Sequence, residues 1–196
     1  MRSRFALGAL LAVATLAPVA HAETFRTEDP DAKKDYLAAI SKGEAAFVAK
    51  DMAGARTAFQ DAIKLDASRM LGLYRLGEVQ MAESKFDESV STLQGALGKK
   101  GPNLLKAKVM YLIGFVHERA HHLPQAKEAF NAYITFVQAN GDAKGVPQIA
   151  EQHVKVIDRR MKDEVAYAAV KERIKAREKE KEKEAIENAK KDTKNR

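Results

Sequence analysis

Five consecutive residues have the types and spacing of a hydrolase motif: His117-Glu118-Arg119-Ala120-His121. On an unbroken helix, residues four apart share a face. Two imidazoles could then hold one zinc ion while the intervening Glu activates a metal-bound water. Several features oppose that chemistry. Pro124 stands where the extended form of the motif has Gly, and no His follows at the spacing that would complete it. The remaining catalytic chemistries have no residues to carry them. The chain has no Cys, which excludes thiolate metal sites, cysteine nucleophiles and disulfides. It has no Gly-rich phosphate loop and no nucleophile elbow. The expectation is a non-enzymatic chain with no catalytic residues, no resident metal and no cofactor. Any metal contact by His117, His121 and His122 would be adventitious.

The segment before these residues carries an address. Arg2 and Arg4 precede an apolar run, Phe5 to Val19, and Ala20-His21-Ala22 supplies a small-x-small cleavage pattern. Residues 1–22 therefore read as a signal peptide cut after Ala22. The run is short for a membrane span of ~20 residues, and Pro18 breaks its end. The expected location is periplasmic or secreted, with no stable membrane insertion after cleavage. Removing Arg2 and Arg4 lowers the formal net charge from +7 to +5. In an exported chain that basic balance points to acidic envelope surfaces or proteins, with no nucleic acid partner.

The elements that must position any site repeat along the chain. Gly43, Gly77 and Gly114 are 34 and 37 residues apart. Phe59, Leu93 and Phe130 keep the same two intervals, as do Ala55, Ser89 and Ala126, and Met52, Phe86 and Leu123. Three units in register, 36–69, 70–106 and 107–140, resemble the tetratricopeptide repeat, a helix–turn–helix of 34 residues. The resemblance implies an all-α, right-handed superhelical solenoid of three helical hairpins. Gly43, Gly77 and Gly114 fall at position 8 of each unit, where only a small residue lets two helices touch. Ala55 and Ala126 do the same at position 20, and Phe59, Leu93 and Phe130 fill position 24. Two units depart from the pattern: Ala39 and Lys42 stand at positions 4 and 7 of the first, and Tyr133 replaces the small residue at position 27 of the third. The same register puts His121 at position 15, in the turn between helices, and His117 at a packing position.

Helix punctuation fits. Asp29-Pro30 reads as a cap followed by Pro at the first helical position. Asp51, Ser68 and Asn103 are candidate caps of the second, third and fifth helices, Pro124 opens the sixth, and Asn140-Gly141 offers left-handed residues to end it. Residues 23–35 form an N-terminal segment. After the repeats, Pro147 opens a helix with an apolar stripe of Ala150, Val154, Ile157, Met161, Val165 and Ala168, so 147–170 reads as a capping helix over the solenoid end. Residues 171–196 hold eleven Lys or Arg against seven Asp or Glu, a charged helical extension with no apolar heptad seam. Two readings of it stand: a solvated helix, or an electrostatic tether to an acidic envelope surface.

Relatives of this family bind ligands on the concave face, lined by the first helix of each hairpin. Carried over by position, the resemblance implies a groove of Ile40, Glu44 and Phe47, then Tyr74 and Glu78, then Tyr111, Phe115, Glu118 and Arg119. Leu37, Val48, Leu71, Met81, Ala82 and Lys108 occupy further concave positions. Tyr74 and Tyr111 share position 5 and are expected side by side as exposed anchors in a mildly acidic groove. The function implied is a protein- or peptide-binding scaffold or adaptor of the bacterial cell envelope. The alternatives are a zinc hydrolase using His117, Glu118 and His121, and a spacer acting through the charged tail.

Overall fold

The computed structural model describes residues 30–194, with side chains placed for 32–185. The expected signal peptide, its cleavage site, most of the 23–35 segment and the Asp29 cap lie outside the described residues. Seven helices run in order among those described: α1 (Pro30–Val48), α2 (Met52–Leu65), α3 (Met70–Ala82), α4 (Phe86–Leu97), α5 (Asn103–Arg119), α6 (Leu123–Ala139) and α7 (Pro147–Lys194). A 3-10 turn, Gly141–Ala143, precedes α7. No helix among the described residues is long and apolar enough to cross a membrane.

Each helix packs on its successor, and α3 also touches α5, so the first helices of the hairpins share one face. The close approaches fall at the repeated glycines. A Cβ placed on Gly77 would lie 2.6 Å from Leu93 Cδ2, and one on Gly114 would lie 2.8 Å from Phe130 Cδ1. At Gly43 it would collide with the Phe59 ring. Phe59, Leu93 and Phe130 are themselves almost fully buried. Ser89 takes the small-residue place of the second unit because its hydroxyl can donate to Gly77 O at 2.8 Å.

The turns inside the hairpins repeat as faithfully as the core. Lys50, Ser84 and His121 each adopt positive φ, at 62°, 61° and 60°. In all three turns the following amide reaches back five residues: Asp51 to Ala46, Lys85 to Gln80, His122 to His117. This closes the first helix with a left-handed residue that is not glycine, a geometry costing roughly 1–2 kcal/mol for an L side chain.

Several expected caps are replaced by other partners. Asp51 does cap α2, its Oδ1 accepting from Gly54 N at 2.9 Å. Ser68 does not cap α3; its amide and hydroxyl both donate to Asp66 Oδ1. The first α3 amide, Met70 N, donates instead to Lys100 O at 2.9 Å, and Lys100 N returns a bond to Ser68 O. Lys100, in the connection between α4 and α5, thus ties that connection to the one between α2 and α3. Asn103 is the first residue of α5, after the cap position at Pro102, and its amide donates to Asp142. Asn140 is extended, with φ −128°, and the left-handed residue after α6 is Lys144. Tyr133 is large at position 27 because its hydroxyl accepts from Val146 N at 2.9 Å, fixing the loop into α7.

α7 packs along α6 through Ala150 and Ile157, both fully buried, with Val154 and Met161 beside them. The expected stripe extended to Val165 and Ala168. Those two are exposed, Val165 at 72%. The reason is length: α6 has 17 residues, about 25 Å, so an antiparallel helix starting at Pro147 runs out of partner after Met161. Beyond it every side chain through Ala185 is exposed.

Candidate functional site

The concave positions divide into two polar clusters and one apolar groove. In the first cluster Arg75 joins two hairpins. Its guanidinium donates to Glu44 across the α1–α3 junction and to Glu78 Oε2 at 2.9 Å. The Tyr74 hydroxyl donates to Glu78 Oε1 at 2.7 Å. Burial and the neighbouring Glu78 carboxylate hold the Tyr74 phenol far above its usual range. Arg75 thus pairs with both Glu44 and Glu78, and the groove beside them is lined by Lys108 and Lys144 and by no carboxylate.

The second cluster is built around a residue of α7. His153 Nδ1–H donates to Glu118 Oε2 at 2.7 Å, and the Tyr111 hydroxyl donates to His153 Nε2 at 3.0 Å. The ring stacks on Phe130 at 4.7 Å between centroids and meets Tyr111 and Phe115 edge-on. Arg160, one α7 turn and three residues on, reaches Glu118 and His121 Nδ1. Burial, then Tyr133 and Glu118, push the Tyr111 phenol up. The last helix thus fills the third hairpin's share of the concave face.

Between the clusters lies a groove of 460 Å³ that brings both tyrosines together. Leu104 and Leu112 of α5 and Val146 and Ile149 at the start of α7 give it apolar walls, and Lys108 and Lys144 stand at its rim. Val146 and Ile149 are half-exposed, and Lys144 is exposed. Lys108 is pushed below its ordinary value by burial and by the Arg75 charge, with Glu78 acting against them.

The concave set assigned by position therefore splits. Tyr74 and Tyr111 line one groove, but neither is a free anchor: each is half-buried or deeper, with its hydroxyl partnered inside the chain. Ile40 is a core residue, 5% exposed, and Leu71 is buried too. Phe47 and Met81 pack against the same core, while Leu37 and Val48 are exposed. Glu44 and Glu78 are held by Arg75, and Phe115 and Glu118 by His153. Arg119 is exposed at the end of α5. Sequence reasoning missed Arg75, Lys144, Val146, Ile149 and His153. Arg75 could have been found from its i,i+3 spacing to Glu78. The other four depend on how α7 docks, which no local pattern encodes.

The hydrolase motif loses its geometry. α5 ends at Arg119, and His121 sits in the left-handed turn, so the two imidazoles do not share a helical face. His117 has His122, not His121, as its neighbouring ring, at 5.9 Å. Burial and His122 lower the His117 pKa, against the pull of Asp87 and Glu128. Glu118 faces His153 on the concave side.

No family model matches the chain, and no curated protein matches it in sequence. Solved structures do match. The TPR2B domain of yeast Sti1, in its pHsp70 complex, superposes with a TM-score of 0.58 at 15% identity, over 65% of this chain and 98% of that one. The N-terminal domain of stress-induced protein-1 from C. elegans gives 0.57 at 22% identity, over 67% and 99%. PcrH, solved in complex with the chaperone-binding region of PopD, gives 0.56 at 14% identity, over 70% and 98%. The fold is thus a tetratricopeptide-type solenoid of three hairpins, capped by α7 and continued by its charged extension.

Proposed function

We propose that the chain is a non-enzymatic holding module that binds a peptide or protein segment in the groove between α3, α5 and the start of α7. The observation that carries this reading is the groove itself: two tyrosines from successive hairpins meet exposed aliphatic walls, Val146 and Ile149, and a rim of Lys108 and Lys144. Half-exposed aliphatic residues beside rigid phenols can bury area at little entropic cost. Neighbouring folds support the assignment, since the Sti1 domain and PcrH were each solved holding a peptide or a region of another protein. The signal-like run of residues 5–22 supports a role as a scaffold or adaptor of the bacterial cell envelope.

The test is a photo-cross-linking residue at Ile149, with one at Gln125, exposed in a separate cleft between α4 and α6, as the control. Irradiation in envelope extract should give discrete adducts at 149 and not at 125. Equal labelling at both, or none at 149, refutes the groove.

The zinc-hydrolase alternative finds no support in the position of His121. The tether alternative retains the exposed basic residues of 171–185. Deleting 171–196 separates it: a tether loses its surface, while groove adducts at 149 persist.

A further inference from the structure

Beyond its contact with α6, α7 carries a second apolar stripe that packs on nothing. The docked stripe is Ala150, Val154, Ile157 and Met161. Val156, Tyr167, Val170 and Ile174 lie about 110–170° around the helix from it. They are exposed at 51%, 72%, 42% and 53%. Asp163, Tyr167, Val170, Ile174, Glu178 and Lys181 follow one another at steps of four and three, one line along a projecting helix. That line has apolar residues at its centre and opposite charges at its two ends.

We propose that this line is a self-association surface, along which α7 of a second copy lies antiparallel. The argument is charge complementarity. A parallel pair would set Asp163 against Asp163 and Lys181 against Lys181. An antiparallel pair centred on residue 172 sets Val170 against Ile174 twice and Asp163 against Lys181 twice. Asp163 has an exposed neighbour within its own helix, Arg159, whose Nε lies 3.9 Å from Asp163 Oδ2, a contact too solvated to compete. Arg160, also near the line, is turned toward the body by Glu118 and His121 and leaves the seam clear. The apolar centre is short, so the pair is concentration-dependent, and the charges at its ends fix direction and register. This surface is separate from the groove and does not rest on the peptide-holding reading.

The experiment is sedimentation equilibrium of the chain from about 1 to about 500 µM, with circular dichroism as the fold control. A monomer–dimer equilibrium is expected. Asp163→Lys alone, or Lys181→Asp alone, should weaken it at least about tenfold, because each puts like charges opposite one another twice. An equimolar mixture of those two variants should restore it, since only the mixed pair regains both matches. Tyr167→Glu with Ile174→Glu should abolish it while leaving the unfolding midpoint of the body unchanged. A chain that is monomeric throughout overturns the proposal, as does a dimer indifferent to the charge swaps. A chain that stays monomeric but floats with phosphatidylglycerol vesicles overturns it in favour of an anionic surface.

Discussion

Replacing His153 by alanine removes the polar joint between the capping helix and the third hairpin. The size of the loss follows from three contacts. The bond to Glu118 at 2.7 Å is charge-assisted, worth roughly 1.5–3 kcal/mol. The bond from the Tyr111 hydroxyl at 3.0 Å adds about 1 kcal/mol. The Phe130 stack, at 4.7 Å and 15° between planes, adds about 0.5–1.5 kcal/mol. Two effects reduce the sum. Glu118 keeps Arg160 at 3.7 Å, and the His153 and Glu118 side chains are 24% and 16% exposed, so water screens the pair. A net loss of about 2–3 kcal/mol is expected. His153→Phe keeps the stack and gives up the polar bonds, so it should cost less than alanine. Urea unfolding followed by far-ultraviolet circular dichroism measures both. A loss below about 0.5 kcal/mol for His153→Ala would refute the joint, and the apolar contacts of Ala150, Val154, Ile157 and Met161, together with the Lys127–Asp158 pair, would then carry the docking of α7.

Three further outcomes can be checked by the same method. Lys50→Gly should raise stability by about 0.5–1 kcal/mol, because its φ of 62° is strained for lysine and open to glycine; no gain would mean the turn relaxes. Gly77→Leu should cost at least about 1–3 kcal/mol, since its Cβ alone would sit 2.6 Å from Leu93 Cδ2, and an unchanged midpoint would overturn the repeat register. His117 has a lowered pKa in the folded state, so the unfolded chain binds more protons as pH falls through the ordinary histidine range near 6.5. Stability should therefore fall on acidification from pH 7.5 to about 5.5, and His117→Gln should flatten that slope; an identical slope in the variant would contradict the burial assigned to His117.

The solenoid was legible because its determinants are local and repeated. Gly43, Gly77 and Gly114 each stand where a methyl group would strike a large buried side chain, and that constraint recurs at fixed spacing. The same register correctly put His121 in a turn, which three equivalent left-handed residues now explain. Caps were less legible. Ser68 and Asn103 have the right chemistry, but each stands one residue from the cap position, which Arg69 and Pro102 occupy; Asp66 and Asp142 take up their side chains, and a distant backbone carbonyl serves α3 instead. The groove was legible by position and misread by environment. Position 5 brings Tyr74 and Tyr111 to one groove, yet nothing local says that Glu78 and His153 wait for their hydroxyls.

The docking of α7 is what turns a repeat surface into a bounded site. Without it, the concave face of the third hairpin would present Tyr111, Phe115 and Glu118 to any ligand. His153 occupies that ground, and Tyr133 holds the incoming loop by its Val146 amide, so the open surface moves to Val146, Ile149 and Lys144. A ligand then meets a groove with one wall from α5 and one from the chain's own last helix. Loosening that helix would change the shape of the groove as well as the stability of the fold. His153→Ala should accordingly alter adduct formation at Ile149, whereas Gly77→Leu, which strains the second hairpin, should act on stability first. Under the proposed function, stability and ligand capture are coupled through one joint, and a His153 variant that lowers the first without touching the second would refute that coupling.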